Sequence, residues 1–206
     1  MHRIEMKKKV IIIGGGAAGF FTAANLDETK YDVTILEQNS DVLQKVKISG
    51  GGRCNVTHAC FDPKDLVNFY PRGNRELVSV FTKFQPGDTM DWFETRNVPL
   101  KIEKDNRIFP ETDSSQSIIN ILLDEVRKKG FEIKTQANVL EIISENNSYF
   151  IKTKSDSYKA DFILYSTGSS PKSLKLIQQL GHKIVEPVPS LFTFNMPDQK
   201  SAQHSL

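Results

Sequence analysis

The stretch that decides the fold is Lys9-Val-Ile-Ile-Ile-Gly-Gly-Gly-Ala-Ala-Gly19. Its β-branched run predicts a short buried strand over Lys9–Ile13, and the apolar residues from Ala17 to Leu26 predict a helix. Alternating apolar residues predict a second strand over Asp32–Leu36, which ends at Glu37. A strand, a helix and a strand that follow one another this closely predict two parallel strands joined by a right-handed crossover.

The glycines of this stretch form the pattern G-x-G-x-x-G at Gly14, Gly16 and Gly19. We expect Gly14 to allow a tight turn, Gly16 to admit a pyrophosphate at the helix N-terminus, and Gly19 to bring the helix close to the sheet. Glu37 follows Gly19 after 17 intervening residues, so its carboxylate can accept hydrogen bonds from an adenosine ribose and disfavours a 2′-phosphate. The pattern predicts a site for NAD or FAD, contributed by Gly14, Gly16, Ala17, Ala18, Gly19, Glu37 and Gln38.

The rest of the chain continues an α/β pattern. Residues 62–98 predict helices, and residues 99–110 predict short edge strands. A further helix ends at Gly130, and residues 131–165 predict a β-meander followed by a last buried strand. A short helix is predicted over residues 171–181. Helix N-caps are predicted at Asn74, Asp88 and, with Gln116 in capping-box spacing, Asp113.

A second glycine-rich stretch, Lys47-Ile-Ser-Gly-Gly-Gly-Arg-Cys-Asn-Val-Thr57, follows the dinucleotide pattern. Three consecutive glycines expose backbone N–H groups that can bind an anion, and Arg53 adds a forked cation. Asn55 can both donate and accept hydrogen bonds, as the edge of a flavin requires. Together with the meander and a last strand that ends at Thr167-Gly168, this stretch favours FAD over NAD.

The chain resembles the YhiN/BaiN-like flavoprotein family of FAD-dependent oxidoreductases, on the stretches Val10–Gly19, Lys47–Thr57, Arg107–Pro110, Thr167-Gly168, Leu180–Ile184 and Pro187–Pro189. The resemblance implies a Rossmann-like FAD-binding domain of the two-dinucleotide-fold, glutathione-reductase-like type, with hydride transfer through a non-covalent flavin. It implies a pyrophosphate on Gly14–Gly19, the ribose on Glu37 and the adenine near Val139. It further implies flavin-side contacts from Gly51, Gly52, Arg53, Cys54, Asn55, Thr167 and Gly168.

The resemblance also leads to an expectation about domains, because members of that family are much longer. We expect residues 1–186 to form the FAD-binding domain and residues 187–206 to begin an inserted second domain, which leaves the fold incomplete at its C-terminus. Met6 before three lysines offers an alternative start, so residues 1–8 are a candidate leader. We expect such an N-terminal portion to bind FAD weakly and to have no turnover alone.

Composition excludes several classes of protein. The chain has 206 residues, 38% of them hydrophobic, which is enough apolar material for a folded domain. Its formal net charge of +2 gives no indication of a nucleic-acid scaffold. No apolar run is long enough for a membrane span or a signal peptide, so we expect a cytoplasmic protein with a small-molecule substrate and no membrane partner. NAD(P)H is the electron donor that the resemblance suggests. Catalytic residues and oligomeric state stay unassigned, and no metal-ligand cluster is present.

Three alternatives remain open at this point. The chain could be an NAD-binding module of a dehydrogenase, or a non-catalytic remnant that folds without a ligand. Cys54 and Cys60 have five residues between them, whereas related disulfide reductases have four, so two separate thiols are favoured over a redox disulfide. His58 is expected in a loop.

Overall fold

The computed structural model describes residues 6–187 of the chain. This part contains the following elements in chain order: β1 (Lys8–Ile13), α1 (Ala17–Asn25), β2 (Tyr31–Leu36), α2 (Gln44–Ile48), β3 (Thr57–His58), α3 (Pro63–Leu66), α4 (Asn74–Phe81), α5 (Pro86–Glu94), β4 (Leu100–Ile102), β5 (Arg107–Pro110), α6 (Ser115–Lys128), β6 (Glu132–Lys134), β7 (Val139–Glu145), β8 (Ser148–Thr153), β9 (Ser157–Ala160), β10 (Phe162–Tyr165) and α7 (Pro171–Gln179). Single 3₁₀ turns cover Ser49–Gly52 and Val67–Phe69.

The centre of the fold is a four-stranded parallel sheet in the order β10-β1-β2-β6. Successive side chains of β1 enter two different cores: Val10 and Ile12 lie on one face of the sheet, and Ile11 and Ile13 on the other. A parallel strand covered on both faces must be apolar at every position, which explains the unbroken run in the sequence. The predicted strand–helix–strand unit is therefore confirmed.

Different structures cover the two faces of this sheet. Helices α1 and α6 lie on the face of Val10 and Ile12, where α6 buries Ile118, Leu122 and Val126. The antiparallel meander β7-β8-β9 and helix α7 cover the opposite face. The predicted meander is confirmed, and its turns fall at the predicted places.

A second antiparallel sheet, in the order β3-β5-β4, contacts α6 through β5 and α5 through β3 and β4. Helices α3 and α4 pack against each other beside it. Its central strand β5 buries Ile108 and Phe109 completely. The two strands predicted in residues 99–110 are present, but only β4 is an edge strand, because β5 pairs with strands on both sides. His58 belongs to strand β3, where it pairs with Arg107, and not to a loop. Thr57, the last residue of the second glycine-rich stretch, is also the first residue of β3.

The three predicted N-caps are wrong by one to three residues. The caps are Gly73, Gln85 and Ser114. Asp88 instead accepts from the Gln85 backbone N–H as the third residue of a capping box. Asp113 has a left-handed backbone with φ 51° and pairs with Arg53 and Lys101, so Ser114 takes the capping position. The apolar residues Leu191, Phe192 and Phe194, and the proposed start of a second domain, lie outside the described residues.

Candidate dinucleotide site

A cavity of about 460 Å³ opens at the carboxyl edge of the parallel sheet. Parallel strands all end at this edge, so the turns that follow them gather around one point, where open α/β sheets bind ligands. The turns after β1, β2 and β10 and the segment before β7 all contribute to the cavity. Its lining consists of residues 13–18, 36–39, 41, 43–45, 137–139 and 166–170, with Ser173 and Leu176 of α7.

Two glycines of the first motif are required by packing alone. A side chain on Gly14, whose φ is 108°, would put its Cβ 2.5 Å from the Ser166 carbonyl oxygen. A Cβ on Gly19 would lie 2.3 Å from the Gly14 carbonyl oxygen, where α1 crosses the turn. The predicted roles of Gly14 in the tight turn and of Gly19 in helix–sheet contact are therefore confirmed.

Gly16 differs from these two glycines, because the protein itself gives no reason for it. Its backbone is extended, with φ −91° and ψ −171°, a conformation open to any residue. A Cβ at Gly16 would meet no atom within 4 Å. Gly16 is the N-cap of α1, and no side chain caps this end of the helix. The first backbone N–H groups of α1 therefore have no partner within the helix. They lie at the cavity, where Ala17 and Ala18 are part of the lining.

Glu37 ties the end of β2 to the glycine turn. Its side chain is 8% exposed, and its Oε2 accepts a hydrogen bond from the Gly15 N–H at 2.8 Å. Its Oε1 accepts from the backbone N–H of Asn39 at 2.9 Å and from the Asn39 Nδ2 at 2.7 Å. A carboxylate offers about four acceptor positions, so one remains for a ligand hydroxyl. Gln38 follows on the exposed rim of the cavity.

The turn after β10 places Thr167, a residue with a buried hydroxyl, in the lining of the same cavity. The hydroxyl oxygen of Thr167 is buried and has no hydrogen-bond partner among residues 6–187. Buried hydroxyls of native proteins almost always have a partner, so an orphan in a cavity lining points to a bound ligand or water. Gly168 beside it has φ 65°. Val139 and Ala137, both buried, supply an apolar wall.

Lys45 is a cavity residue that sequence reasoning missed. Its Nζ lies 3.3 Å from where a Cβ on Gly168 would be, and in the described part of the chain it forms no salt bridge. Lys47 is also on α2 but is not in the cavity lining. Side chains two positions apart on a helix point in nearly opposite directions. The sequence Lys-Val-Lys gave no signal for which lysine faces the site.

The second glycine-rich stretch lies outside this cavity. Its chain reverses through left-handed conformations at Gly50, Gly51 and Gly52, with φ of 57°, 67° and 89°. Cys54 also has a positive φ, 64°, although it is not a glycine. Added Cβ atoms at Gly51 and Gly52 would meet nothing within 4 Å, so the loop has open space around it.

Arg53, predicted as a forked cation in an anion-binding loop, forms ion pairs within the chain. Its guanidinium pairs with Glu103 at 2.6 Å and with Asp113 at 3.2 Å, and it lies 3.9 Å from the centroid of the Phe109 ring. Lys101 contacts the other oxygen of Asp113 and lowers the pKa of that carboxyl, with a smaller effect from Arg53. This network clamps the loop to the β4–β5 hairpin.

The side chains on either side of Arg53 are also held by the protein. Cys54 is buried in the main core, and burial raises the pKa of its thiol. Cys60 is a free thiol as well. The Asn55 amide lies 3.3 Å from the backbone of Ile108 and borders a separate cavity. The structure thus brings Gly14–Gly19, Glu37, Gln38, Val139, Thr167 and Gly168 together, and places Gly51–Asn55 apart from them.

A protein-family model, the HI0933-like protein Rossmann domain, matches residues 8–191. The chain belongs to the HI0933-like family. The sequence resemblance to YhiN/BaiN-like flavoproteins is thereby confirmed.

Two curated relatives are longer than this chain. The 3-dehydro-bile acid delta(4,6)-reductase of Clostridium scindens is 27% identical over 177 residues, which are 82% of this chain and 42% of that protein. The ribosomal RNA dihydrouridine synthase of Escherichia coli is 24% identical over 187 residues, 87% of this chain and 46% of that protein. The chain thus spans a little less than half the length of these relatives.

Solved structures agree on the fold. THI4 of Thermovibrio ammonificans superimposes with a TM-score of 0.55 at 13% identity, covering 86% of this chain and 64% of that one. NikD, an unusual amino acid oxidase essential for nikkomycin biosynthesis, gives 0.50 at 16% identity, covering 86% and 55%. These likenesses show the fold alone, and they confirm the predicted α/β, Rossmann-like class.

Residues 6–187 contain neither a candidate membrane-spanning helix nor a candidate metal site. No helix there is both long and apolar enough to cross a bilayer. No cluster of three or more His, Cys, Asp or Glu side chains there is arranged to hold a metal ion.

Proposed function

We propose that this chain is the FAD-binding part of a flavin-dependent oxidoreductase. The observation that carries the proposal is Gly16, a glycine that neither backbone conformation nor packing requires. A group that must approach the α1 N-terminus closely explains it, and a pyrophosphate is such a group. The orphan hydroxyl of Thr167 and the spare acceptor position of Glu37 support the same conclusion.

Different residues of the chain bind different parts of the cofactor. The N–H groups at the start of α1 and the ammonium of Lys45 bind the two phosphates. Glu37 accepts from the adenosine ribose and, as a buried anion, disfavours a 2′-phosphate. Val139 packs against the adenine, and Thr167-Gly168 and the backbone of Gly51–Asn55 border the flavin side. FAD bound there would supply hydride transfer, while the protein supplies orientation and electrostatics.

The relatives support a class of reaction for the whole protein. One is named a delta(4,6)-reductase and the other a dihydrouridine synthase, and both names describe reduction of a ring carbon–carbon double bond. We propose the same chemistry here, on a small molecule in the cytoplasm, with NAD(P)H as electron donor. Because one named substrate is a bile acid and the other an RNA, the names support the bond type and not a particular molecule.

The test is a titration of the purified 206-residue chain with FAD, ADP and NAD⁺, followed by calorimetry and by the flavin absorbance spectrum. Gly16→Val is the decisive variant: it should lower the melting temperature by no more than about 4 °C, the effect of a poorer N-cap. It should lose FAD and ADP binding at least about tenfold, because its side chain occupies the pyrophosphate's place. Gly51→Val is not a matched control, because its φ of 67° strains any side chain. Thr22→Val, further along α1 and absent from the cavity lining, is a better control.

Three outcomes contradict the proposal. Tighter binding of NAD⁺ than of FAD would indicate a dehydrogenase module. Binding of neither dinucleotide would indicate a remnant without a ligand. Equal FAD affinity in Gly16→Val and the parent chain would remove the reason given for the glycine.

A further inference from the structure

A second cavity, of about 370 Å³, lies between strand β3 and helices α3 to α5. It begins where the second glycine-rich stretch ends, because Asn55, Thr57 and His58 form one side of it. Aromatic residues of the helical segment form the other side, among them Tyr70, Phe81 and Phe84. Nothing in the proposed binding of FAD phosphates and adenosine uses this cavity.

The aromatic side of the cavity is unusually open. Tyr70 is 41% exposed and Phe84 is 40% exposed, although large aromatic side chains are normally mostly buried. The rings pack against one another instead: Tyr70 lies 5.4 Å from Phe81, and His58 lies 4.6 Å from Phe69, measured between ring centroids. Helix α4, which carries Phe81, has no buried residue at all. This arrangement leaves ring faces and edges available to a further flat group.

The lining indicates what such a group would be. It contains no lysine, arginine, aspartate or glutamate, so it offers no counter-charge to an ionic ligand. Its polar side chains come from both sides, with Asn55, Thr57 and His58 next to or on β3 and Tyr70, Gln85 and Thr89 on the helical side. Neither the His58 ring nor the Tyr70 hydroxyl forms a hydrogen bond with another side chain or backbone group of residues 6–187, so both can serve a ligand carbonyl.

We propose that this cavity binds the ring of the substrate, an uncharged planar ring conjugated to a carbonyl group. The inference rests on the proposed function, because it places the acceptor of the hydride beside Asn55, at the end of the loop assigned to the flavin side. Aromatic faces of Phe81 and Tyr70 hold the ring, and His58 hydrogen-bonds the carbonyl. A cavity of this size is within the usual range for small-molecule sites.

The probe is 7-methoxycoumarin, a neutral, planar, fluorescent ring with a conjugated carbonyl, titrated into the 206-residue chain without and with saturating FAD. Phe81→Ala should weaken probe binding about tenfold, since it removes an aromatic wall. Val80→Ala is the matched control: Val80 is the neighbouring residue of α4, is 53% exposed and is absent from the lining. His58→Phe keeps the contact with Phe69 and should weaken binding several-fold through the lost hydrogen bond.

The result that overturns the proposal is equal probe affinity in Phe81→Ala, Val80→Ala and the parent chain. Displacement of the probe by FAD, but not by ADP, would assign the cavity to the flavin ring and overturn it as well. Unchanged probe binding in the presence of FAD supports it. Failure of FAD to bind contradicts the proposed function and leaves the probe titration as an independent test of the cavity.

Discussion

The buried carboxylate of Glu37 gives the sharpest prediction about stability. Glu37→Ala removes three hydrogen bonds, at 2.8 Å from Gly15 and at 2.9 and 2.7 Å from Asn39. The Gly15 N–H is buried and would lose its partner, which costs about 1–3 kcal/mol, and the two bonds to Asn39 are more exposed and contribute less. We expect a total loss of about 3 kcal/mol in the free energy of unfolding, or about 6–12 °C in melting temperature for a chain of this length.

Thermal unfolding followed by circular dichroism measures this effect, with Asp32→Ala as the matched control. Asp32 lies on the same strand but is exposed, so its replacement should change the melting temperature by no more than about 2 °C. Equal melting temperatures for the two variants would refute the idea that Glu37 holds the glycine turn. A second measurement, FAD affinity well below the melting temperature, should show an additional loss in Glu37→Ala, because the ribose acceptor is gone.

Three further predictions concern residues around the two glycine loops. Gly19→Ala should destabilise the chain by about 2–3 kcal/mol, seen as a lower urea midpoint, because its Cβ would lie 2.3 Å from a carbonyl oxygen; an unchanged midpoint would contradict the packing role. Lys45→Ala should weaken ADP binding about tenfold and reduce its salt dependence, whereas Lys47→Ala should do neither; equal effects would show that Lys45 makes no specific contact. Contact with Lys101 lowers the pKa of Asp113 below its ordinary value of 3.8, so this carboxylate stabilises the fold above that pH and loses its effect as pH falls through the lowered value. The melting temperatures of the parent chain and Asp113→Asn should therefore differ from pH 5 to 7 and converge below pH 3.8; a difference that persists in acid would exclude the ion pair as its cause.

Sequence patterns were most informative where a single local requirement decides the residue type. The run Val10–Ile13 must be apolar because both faces of β1 are covered, and Gly14 and Gly19 must lack a Cβ because backbone atoms occupy its place. The residue types at such positions can be interpreted from the sequence alone. The same holds for the meander, whose turns are marked by polar residues at Asn146-Asn147.

The first residues of helices were harder to predict, because several residues near each helix start can cap the helix N-terminus. Asp113 and Ser114 both have suitable side chains, and the choice depends on Arg53 and Lys101, which lie far away in the sequence and pair with Asp113. A local sequence pattern contains no information about an ion-pair partner that lies far away in the sequence and comes close only in the folded chain. This explains why the cap predicted at Asp113 lies instead at Ser114, although the helix was present.

The sequence by itself determined the parallel strand–helix–strand unit, the glycines of its turn, the acid at the end of the second strand and the family of flavoproteins. Those features depend on neighbours along the chain. Only the tertiary structure decided which charged side chains pair within the chain: it placed Arg53 against two carboxylates and Lys45 in the cavity lining. The physical reason is that a charge is bound or free according to contacts across space, and residues such as Glu103 and Gly168 meet these side chains only after the sheets have formed.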